Sequence, residues 1–393
     1  MAIDFIPELW EKEVQRLMPT YGSLFANGLV TIDSSPIFKA GGGNFHYSRY
    51  LKSLAFLGDD NKRNSTGDIT AKTLSYGELQ GVIIRRYDAI KQQNLDVIIS
   101  GVDGLKSVAP QIAQRNTANI EKRFADILLG LFRYGGALNT THSYDYTGLG
   151  TGGKMDEFAI INAQALYGRD SAQLTKMIVH SKVYADMLTR GIVGMPQFTQ
   201  GQSVATSGQL IGFVGKQFIQ DDDLCAQLPT ATGIAVAATT VVTSVTISDG
   251  GEGYTAAPTV TFSGGGGTGA AGTAVLTNGK VTSVTMTNNG TGYTTPPTVT
   301  FAATGVYPSF LTAGQPFYLG YQRDMQMKFI ENLLEQNITQ TLRWDLDYCP
   351  HVINTSYVDT TPNPATSGLV TAANWASAAD HVTDIKIIRI LTK

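Results

Sequence analysis

The sequence is poor in cysteine and lacks any long apolar run. Only Cys225 and Cys349 occur among its 393 residues. Two distant cysteines exclude a disulfide framework and predict buried thiols in a reducing compartment. No stretch approaches the roughly 18 consecutive apolar residues of a membrane span, and no basic segment with a following apolar run opens the chain. We therefore expect a protein that is made in the cytosol, with no secretory signal and no membrane span.

Charge is also scarce, and the sequence has no excess of basic residues. Charged residues make up 16% of the chain, and the net charge is -3. Tight nucleic-acid binding normally needs a basic patch or stripe, so any contact with DNA is expected to be weak or indirect. The length and the 42% hydrophobic content predict a large core and two or three domains.

Motifs for catalysis and metal binding are nearly absent. The five histidines show no metal-ligand spacing, His180 is interpreted as structural, and Asp221 to Asp223 are expected to cap turns rather than to bind a cation. The sequence has no nucleophile elbow, zinc-protease motif or paired carboxylates. We predict that the protein is not an enzyme and has no catalytic residues, no cofactor and no metal.

One glycine-rich loop resembles a phosphate-binding loop. The segment GLGTGGKM, from Gly148 to Met155, has the required glycine and lysine spacing. However, Met155 replaces the hydroxyl residue that magnesium needs, and the polar sequence HSYDYT precedes the loop where a buried strand should lie. A flexible loop is the preferred interpretation, and a nucleotide-binding enzyme is kept as an alternative.

The most regular feature is an amphipathic segment from Val108 to Tyr134. Apolar residues recur there at helical spacing, Pro110 falls in the first turn, and Gly135 with Gly136 marks the end. This predicts a helix of about 24 residues, roughly 36 Å long at 1.5 Å per residue. A helix of this length suggests a structural strut.

The remaining elements are predicted from periodicity and caps. We expect helices at 4–18, ending before Pro19, at 156–167 and from Ser181, which would be the N-cap. Residues 46–82 should form a two-stranded arm with its tip near 59–67. Strands are expected at 81–86, 175–180, 209–220 and 385–391, with 87–99 helical or mixed, 138–154 a polar loop, and 328–346 a helix passing into a strand. The pattern indicates an α+β fold.

Residues 232–305 change composition and contain an internal repeat. VTSVTISDGGEGYTAAPTVTF at 242–262 and VTSVTMTNNGTGYTTPPTVTF at 281–301 are identical at 14 of 21 positions, at an offset of 39 residues. Each copy has the pattern of two β-strands around a glycine-rich turn, which predicts a small all-β inserted domain. The turns carry Tyr254 and Tyr293, which are candidates either for a sugar-stacking surface or for corner packing.

Outside the repeat, the chain resembles the major capsid proteins of tailed bacteriophages, which have the Hong Kong 97-like fold. The resemblance is carried by the long helix, the polar arm, IVHSKVYADML, GKQFIQDDDL, TLRWDLDYCPHV and GLVTAANWASAADHVTDIKIIRIL. It implies an N-arm (1–45), an E-loop (46–82), a P domain (83–137 and 328–360) with spine helix 108–131, an A domain (138–231 and 306–327) and a C-terminal segment (361–393), with the inserted domain at 232–305.

The same resemblance implies a function and partners. Copies of the chain would form the hexamers and pentamers of an icosahedral shell around double-stranded DNA. A portal protein, a scaffold or decoration proteins would be further partners. The N-arm and E-loop residues expected at subunit contacts are Phe5, Trp10, Asp59, Lys62 and Arg63. A surface adhesin or glycan-binding protein that works through 232–305 is the other alternative.

Overall fold

The computed structural model of the protein describes residues 7–33, 43–51, 76–93, 108–150, 152–190, 216–332, 339–379 and 381–393. The chain divides into two compact units. The first comprises Met1–Thr141 and Thr312–Ile387, and the second comprises His142–Leu311 and Ile388–Lys393.

Strands outnumber helices in the described residues. In chain order, the α-helices are Pro7–Tyr21 (α1), Ser23–Ala26 (α2), Ala109–Phe132 (α3), Glu157–Ala165 (α4), Ser181–Thr189 (α5) and Thr366–Leu369 (α6), with 3-10 helices at Gly168–Gln173, Ala372–Asn374 and Val382–Asp384. The strands are Val30–Asp33 (β1), Phe45–Leu51 (β2), Tyr76–Val82 (β3), Ile84–Gln93 (β4), Ser143–Asp145 (β5), Leu174–Val179 (β6), Gln217–Gln220 (β7), Thr232–Ala238 (β8), Val241–Asp249 (β9), Val260–Ser263 (β10), Thr268–Thr277 (β11), Lys280–Thr291 (β12), Thr298–Phe301 (β13), Tyr307–Ala313 (β14), Phe317–Asn332 (β15), Thr339–Val352 (β16), Thr355–Tyr357 (β17), Trp375–Ser377 (β18) and Ile387–Thr392 (β19).

The long helix α3 is confirmed as the central element of the first unit. It spans 24 residues, and Pro110 lies in its first turn, where the missing N–H is no loss. Ile120, Phe124 and Leu131 are fully buried along its apolar face. The side chain of Thr117 donates a hydrogen bond of 2.9 Å to the carbonyl of Met18, which joins α3 to α1.

Helix α1 does not end before Pro19, as the sequence predicts, but at Tyr21. A proline in the last turn removes only one backbone hydrogen bond, so the helix continues past it. The hydroxyl of Thr20 donates to the carbonyl of Leu17 at 2.6 Å and supports this end. The predicted cap and the first residues of the helix lie outside the described ranges.

A four-stranded sheet in the order β1-β15-β16-β4 packs against α3. Residues 328–332, predicted to be helical, form a strand, and so do residues 87–93, which were expected to be helical or mixed. Cross-strand pairing explains this, because β16 pairs antiparallel with β4 on one side and with β15 on the other, and Leu342 lies opposite Ile90. These two ladders outweigh the local helical spacing of apolar residues.

The predicted arm is confirmed in its described part. Strands β2 and β3 form an antiparallel ladder in which Phe45 lies opposite Val82 and Leu51 opposite Tyr76. The expected tip, near 59–67, lies outside the described residues.

The second unit is built on a sheet in the order β5-β19-β14-β6-β7. The predictions of α4, α5, β6 and β19 are confirmed within a few residues. The expected loop at 138–154 also contains the short strand β5, which pairs parallel with β19 through Arg389 and Ser143. The cap of α5 is His180 rather than Ser181, because His180 Nδ1 accepts from the Lys182 N–H at 3.0 Å while Ser181 is bonded to Asp222.

The described segment 232–301 contains the six strands β8 to β13 and no helix, as predicted from the repeat. Strands β10, β13, β8 and β9 form one sheet, and β11 with β12 forms a hairpin. Their shared core contains buried Val242, Val245, Val281 and Phe301. We refer to residues 232–301 as the repeat unit.

Candidate functional site

The residues predicted at subunit contacts lie mostly beyond the part of the chain that the structure describes. Phe5, Asp59, Lys62 and Arg63 are outside the described ranges, and Trp10 is placed only as a residue of helix α1. Their role in assembly stays a prediction.

The root of the arm packs on two buried side chains, Cys349, which the sequence predicted to be a buried thiol, and His351, whose role the sequence did not indicate. A Cβ atom added at Gly81 would lie 2.7 Å from Cys349 Sγ and 3.7 Å from His351 Nδ1. The glycine is thus required for β3 to approach β16. His351 Nε2 donates to the Thr355 carbonyl at 2.7 Å, and burial lowers the pKa of His351 to about 4. His351 is therefore neutral at pH 7.

The solvent face of the first unit's sheet carries a cleft of about 660 Å³ lined largely by charged residues. Arg85 of β4 and Arg343 of β16 line it from this face, and Arg86, whose position in β4 belongs to the other face, also lines the cleft. Arg85 donates to the side-chain oxygen of Asn44 and to the carbonyl of Gly43, both at 3.0 Å. These acceptors are neutral, so they fix the guanidinium without cancelling its charge.

The repeat unit has internal two-fold pseudosymmetry that its sequence only hinted at. Thr261 and Thr300, which are equivalent at the 39-residue offset, lie directly opposite each other in the β10–β13 ladder and are joined through their hydroxyls. The Tyr254 N–H donates to the Gly279 carbonyl, and the Tyr293 N–H donates to the Thr240 carbonyl, both at 3.0 Å. Each copy of the repeat therefore accepts a backbone hydrogen bond from the tyrosine of the other copy.

Both repeat tyrosines are buried, which corrects their candidate role as surface aromatics. Tyr254 is 7% exposed and Tyr293 is 3% exposed. Their hydroxyls accept from the N–H groups of Ala231 at 2.8 Å and Ala270 at 3.3 Å, which are equivalent positions in the two copies. These rings form the corners of the core and offer no face to a sugar.

A buried ion pair joins the first copy of the repeat to the C-terminal strand. Glu252 Oε1 lies 3.7 Å from Arg389 Nη1, and both side chains are less than a tenth exposed. Burial lowers the pKa of Arg389, and the carboxylates of Glu252 and Asp145 oppose that shift. The second copy has Thr291 at the position of Glu252.

In the loop at 148–155, two glycine N–H groups form hydrogen bonds to carbonyls of the same loop. The Gly152 and Gly153 N–H groups donate to the carbonyls of Gly150 and Leu149, and Lys154 Nζ lies 3.4 Å from Asp186 Oδ2. Groups that would surround a phosphate are thus engaged elsewhere. This geometry gives the nucleotide alternative no support.

The acidic run and the cysteines behave as structural residues. Asp221 accepts from the Leu224 N–H at 2.8 Å, and Asp222 accepts from the Ser181 N–H, which lowers the pKa of Asp222. Burial raises the pKa of Cys349 to about 12 and that of Cys225 well above its usual value.

Within the described residues, no cluster of three or more His, Cys, Asp or Glu side chains could hold a metal ion, and no helix is long and apolar enough to cross a membrane.

The similarity to known proteins is low in sequence but extensive in fold. No family model matches the chain. Over 223 residues it is 23% identical to the major capsid protein of Bacillus phage SPP1; the match covers 56% of this chain and 65% of that relative, so the chain spans less than two thirds of the relative's length. The chain also superposes on the capsid of Ralstonia phage GP4 with a TM-score of 0.52 and 8% identity, over 95% of this chain and 91% of that one. The chain has the fold of a phage capsid protein.

The cyanophage Pam1 capsid is similar with a TM-score of 0.49 and 10% identity, over 95% of this chain and 92% of that one. The resemblance to phage major capsid proteins that the sequence predicted is confirmed, together with the mixed α+β class. Capsid proteins are structural components of virions and not a class of enzymes.

Proposed function

We propose that this chain is the major capsid protein of a tailed bacteriophage. Its copies assemble into the hexamers and pentamers of an icosahedral shell that encloses double-stranded DNA, so the protein resides in the virion after synthesis in the host cytoplasm. The sequence match to the SPP1 major capsid protein carries this proposal, and the capsid fold supports it.

Within this proposal, the described elements take the roles of a Hong Kong 97-like subunit. Helix α3 is the spine helix, β2 and β3 are the base of the E-loop, and α1 belongs to the N-arm. Strands β15 and β16 form the long sheet of the P domain, so residues 317–327, which the sequence assigned to the A domain, belong to the P domain in this proposal. The sheet β5-β19-β14-β6-β7 belongs to the A domain. The remaining predicted partners are a portal protein and scaffold or decoration proteins.

The repeat unit acts as an inserted domain that faces outward, where it stabilises neighbouring subunits or contacts the host surface. Its two ends lie together, because the Leu228 N–H donates to the Val306 carbonyl at 3.0 Å. An insertion with adjacent ends disturbs its parent domain little. The burial of Tyr254 and Tyr293 removes the aromatic platform on which a glycan-binding alternative depended.

Light scattering on the purified chain, expressed alone and with its neighbouring genes, tests the assembly. We expect particles far heavier than a ring of six copies. A monomer in both preparations would contradict the proposal.

Deletion of residues 232–305 tests the role of the repeat unit. Because the deletion removes Glu252, it should be combined with Arg389→Met so that no unpaired charge is left buried. If the insert stabilises neighbours, the shells should form and dissociate at a lower temperature than the parent shells. Shells of the chain that keeps the repeat unit and carries Glu252→Leu with Arg389→Met, in which no charge is left buried and unpaired, provide the control.

A further inference from the structure

The sheet of the first unit has two chemically different faces. Successive side chains of a strand point to opposite faces, so β16 presents Leu342, Trp344 and Leu346 to one side. All three are buried, and the Trp344 indole donates to Asn116 of α3 at 3.2 Å. Helix α3 therefore covers this face.

The opposite face is basic. The strand register places five cationic residues on it, from β4, β15 and β16: Arg85, Lys91, Arg323, Lys328 and Arg343. Asp345 and Asp347 lie among them, which gives these seven side chains a net charge of +3, and β1 adds Asp33 to the same face further along the sheet. The whole chain has a net charge of -3, so the basic charge is concentrated here. Such a concentration is the electrostatic mark of a surface for a polyanion.

One pair of cations on this face is unfavourable for folding. Lys328 and Arg343 lie directly opposite each other in the β15–β16 ladder. Like charges at directly opposed positions destabilise a sheet. Asp345 offsets the repulsion only in part, through a 2.9 Å contact with Arg343. An external anion that binds both cations would offset it further.

The guanidinium groups are also held in place. Arg343 stacks over the ring of Tyr87, with 5.0 Å from its Cζ to the ring centroid, and neutral oxygen atoms fix Arg85. Arg343 lies opposite Ala89 of β4, which is four residues from Arg85 along that strand. Four residues correspond to roughly 13 Å at about 3.3 Å per residue. Fixed arginines spread over an extended face suit several phosphates of one backbone rather than a single small anion.

We propose that this basic face contacts the phosphate backbone of double-stranded DNA without reading its sequence. The inference rests on the proposed function, because the enclosed genome would be the DNA that the face meets. Contacts of this kind are individually weak and depend strongly on salt.

The test measures binding of the full chain to a fluorescein-labelled DNA duplex by anisotropy, at protein concentrations below the onset of assembly, over a range of salt concentrations. The variant is Lys328→Gln with Arg343→Gln. The matched control is Lys386→Gln with Arg169→Gln, which removes the same charge from exposed positions elsewhere. Electron microscopy of each variant records whether shells form.

We expect the face variant to reduce the slope of log K against log salt by about 2, because each lost phosphate contact lowers it by about 0.9. The control should keep the parent slope. Equal slopes in both variants, or no salt-dependent binding by the parent chain, would overturn the inference. A face variant that loses shell formation but keeps DNA binding would also overturn it, in favour of a protein partner. Whether the unmodified chain forms shells in electron microscopy tests the proposed function separately from DNA binding.

Discussion

Glu252 and Arg389 form an ion pair that is almost completely buried, with 3.7 Å between Oε1 and Nη1. The pair explains why the two copies of the repeat differ at this position, since only the first copy faces Arg389. The equivalent residue of the second copy, Thr291, is exposed.

Removing one partner of this pair should destabilise the chain strongly. We expect Glu252→Gln to lower the free energy of unfolding by about 3 kcal/mol, because the Arg389 charge would stay buried without its main counter-charge. Replacing both partners, Glu252→Leu with Arg389→Met, should recover most of this loss. Chemical denaturation of the unassembled chain measures both effects. Asp223→Asn, at an exposed position, should change stability by no more than about 0.5 kcal/mol.

The two repeat tyrosines offer an internally matched comparison. The Tyr254 hydroxyl accepts from Ala231 at 2.8 Å and donates to the Ala302 carbonyl at 3.2 Å, whereas the Tyr293 hydroxyl accepts from Ala270 at 3.3 Å. We expect Tyr254→Phe to cost about 1–3 kcal/mol and Tyr293→Phe about 1 kcal/mol or less, because a buried N–H loses a better partner in the first case. Denaturation curves of the two variants check the order. A larger loss for Tyr293→Phe would contradict it.

Gly130 should resist replacement although it lies inside helix α3. A Cβ atom there would meet the Leu369 carbonyl oxygen and, at 2.9 Å, the Trp375 indole nitrogen. Alanine normally stabilises a helix by about 1 kcal/mol relative to glycine, but overpacking against backbone costs about 1–3 kcal/mol. We expect Gly130→Ala to lower the thermal midpoint. The control Asn119→Ala, on the exposed side of the same helix, should leave the midpoint equal or raise it.

Acid should destabilise the chain through His351. Its pKa in the folded state is about 4, against 6.5 for an unperturbed histidine, so the unfolded state binds the proton more tightly. The stability from the neutral ring is complete above pH 6.5 and is lost as the pH falls towards 4, by roughly 3 kcal/mol in total. His351→Gln keeps a donor for the Thr355 carbonyl and should flatten this part of the curve. An unchanged pH dependence of unfolding in that variant would contradict the assignment.

Local patterns predicted the elements that depend on few distant partners. The helix α3, the strands of the repeat and the turn cap at Asp221 could be read from the sequence, and the structure contains each of them. The spacing of apolar residues is ambiguous in YDAIKQQ, which was expected to be helical or mixed, and in KFIEN, which was expected to be helical. Long cross-strand ladders with β16 make both segments strands. The cap of α5 was wrong by one residue because Asp222, distant in sequence, binds Ser181.

Interactions between distant residues could not be predicted from the sequence. Whole-chain charge concealed the basic sheet face, because only the register of β4, β15 and β16 brings its cations together. The Glu252–Arg389 pair likewise joins segments whose proximity no local pattern indicates. The repeat revealed two similar hairpins, but not that Thr261 and Thr300 would meet at their centre.

Electron cryo-microscopy of the particles formed by the full chain tests the central claim most directly. The account predicts closed icosahedral shells in which subunits with helix α3 and the long β15–β16 ladder are arranged in rings of five and six. Monomers or open, irregular aggregates, from the chain alone and from expression with its neighbouring genes, would contradict the assignment as a major capsid protein.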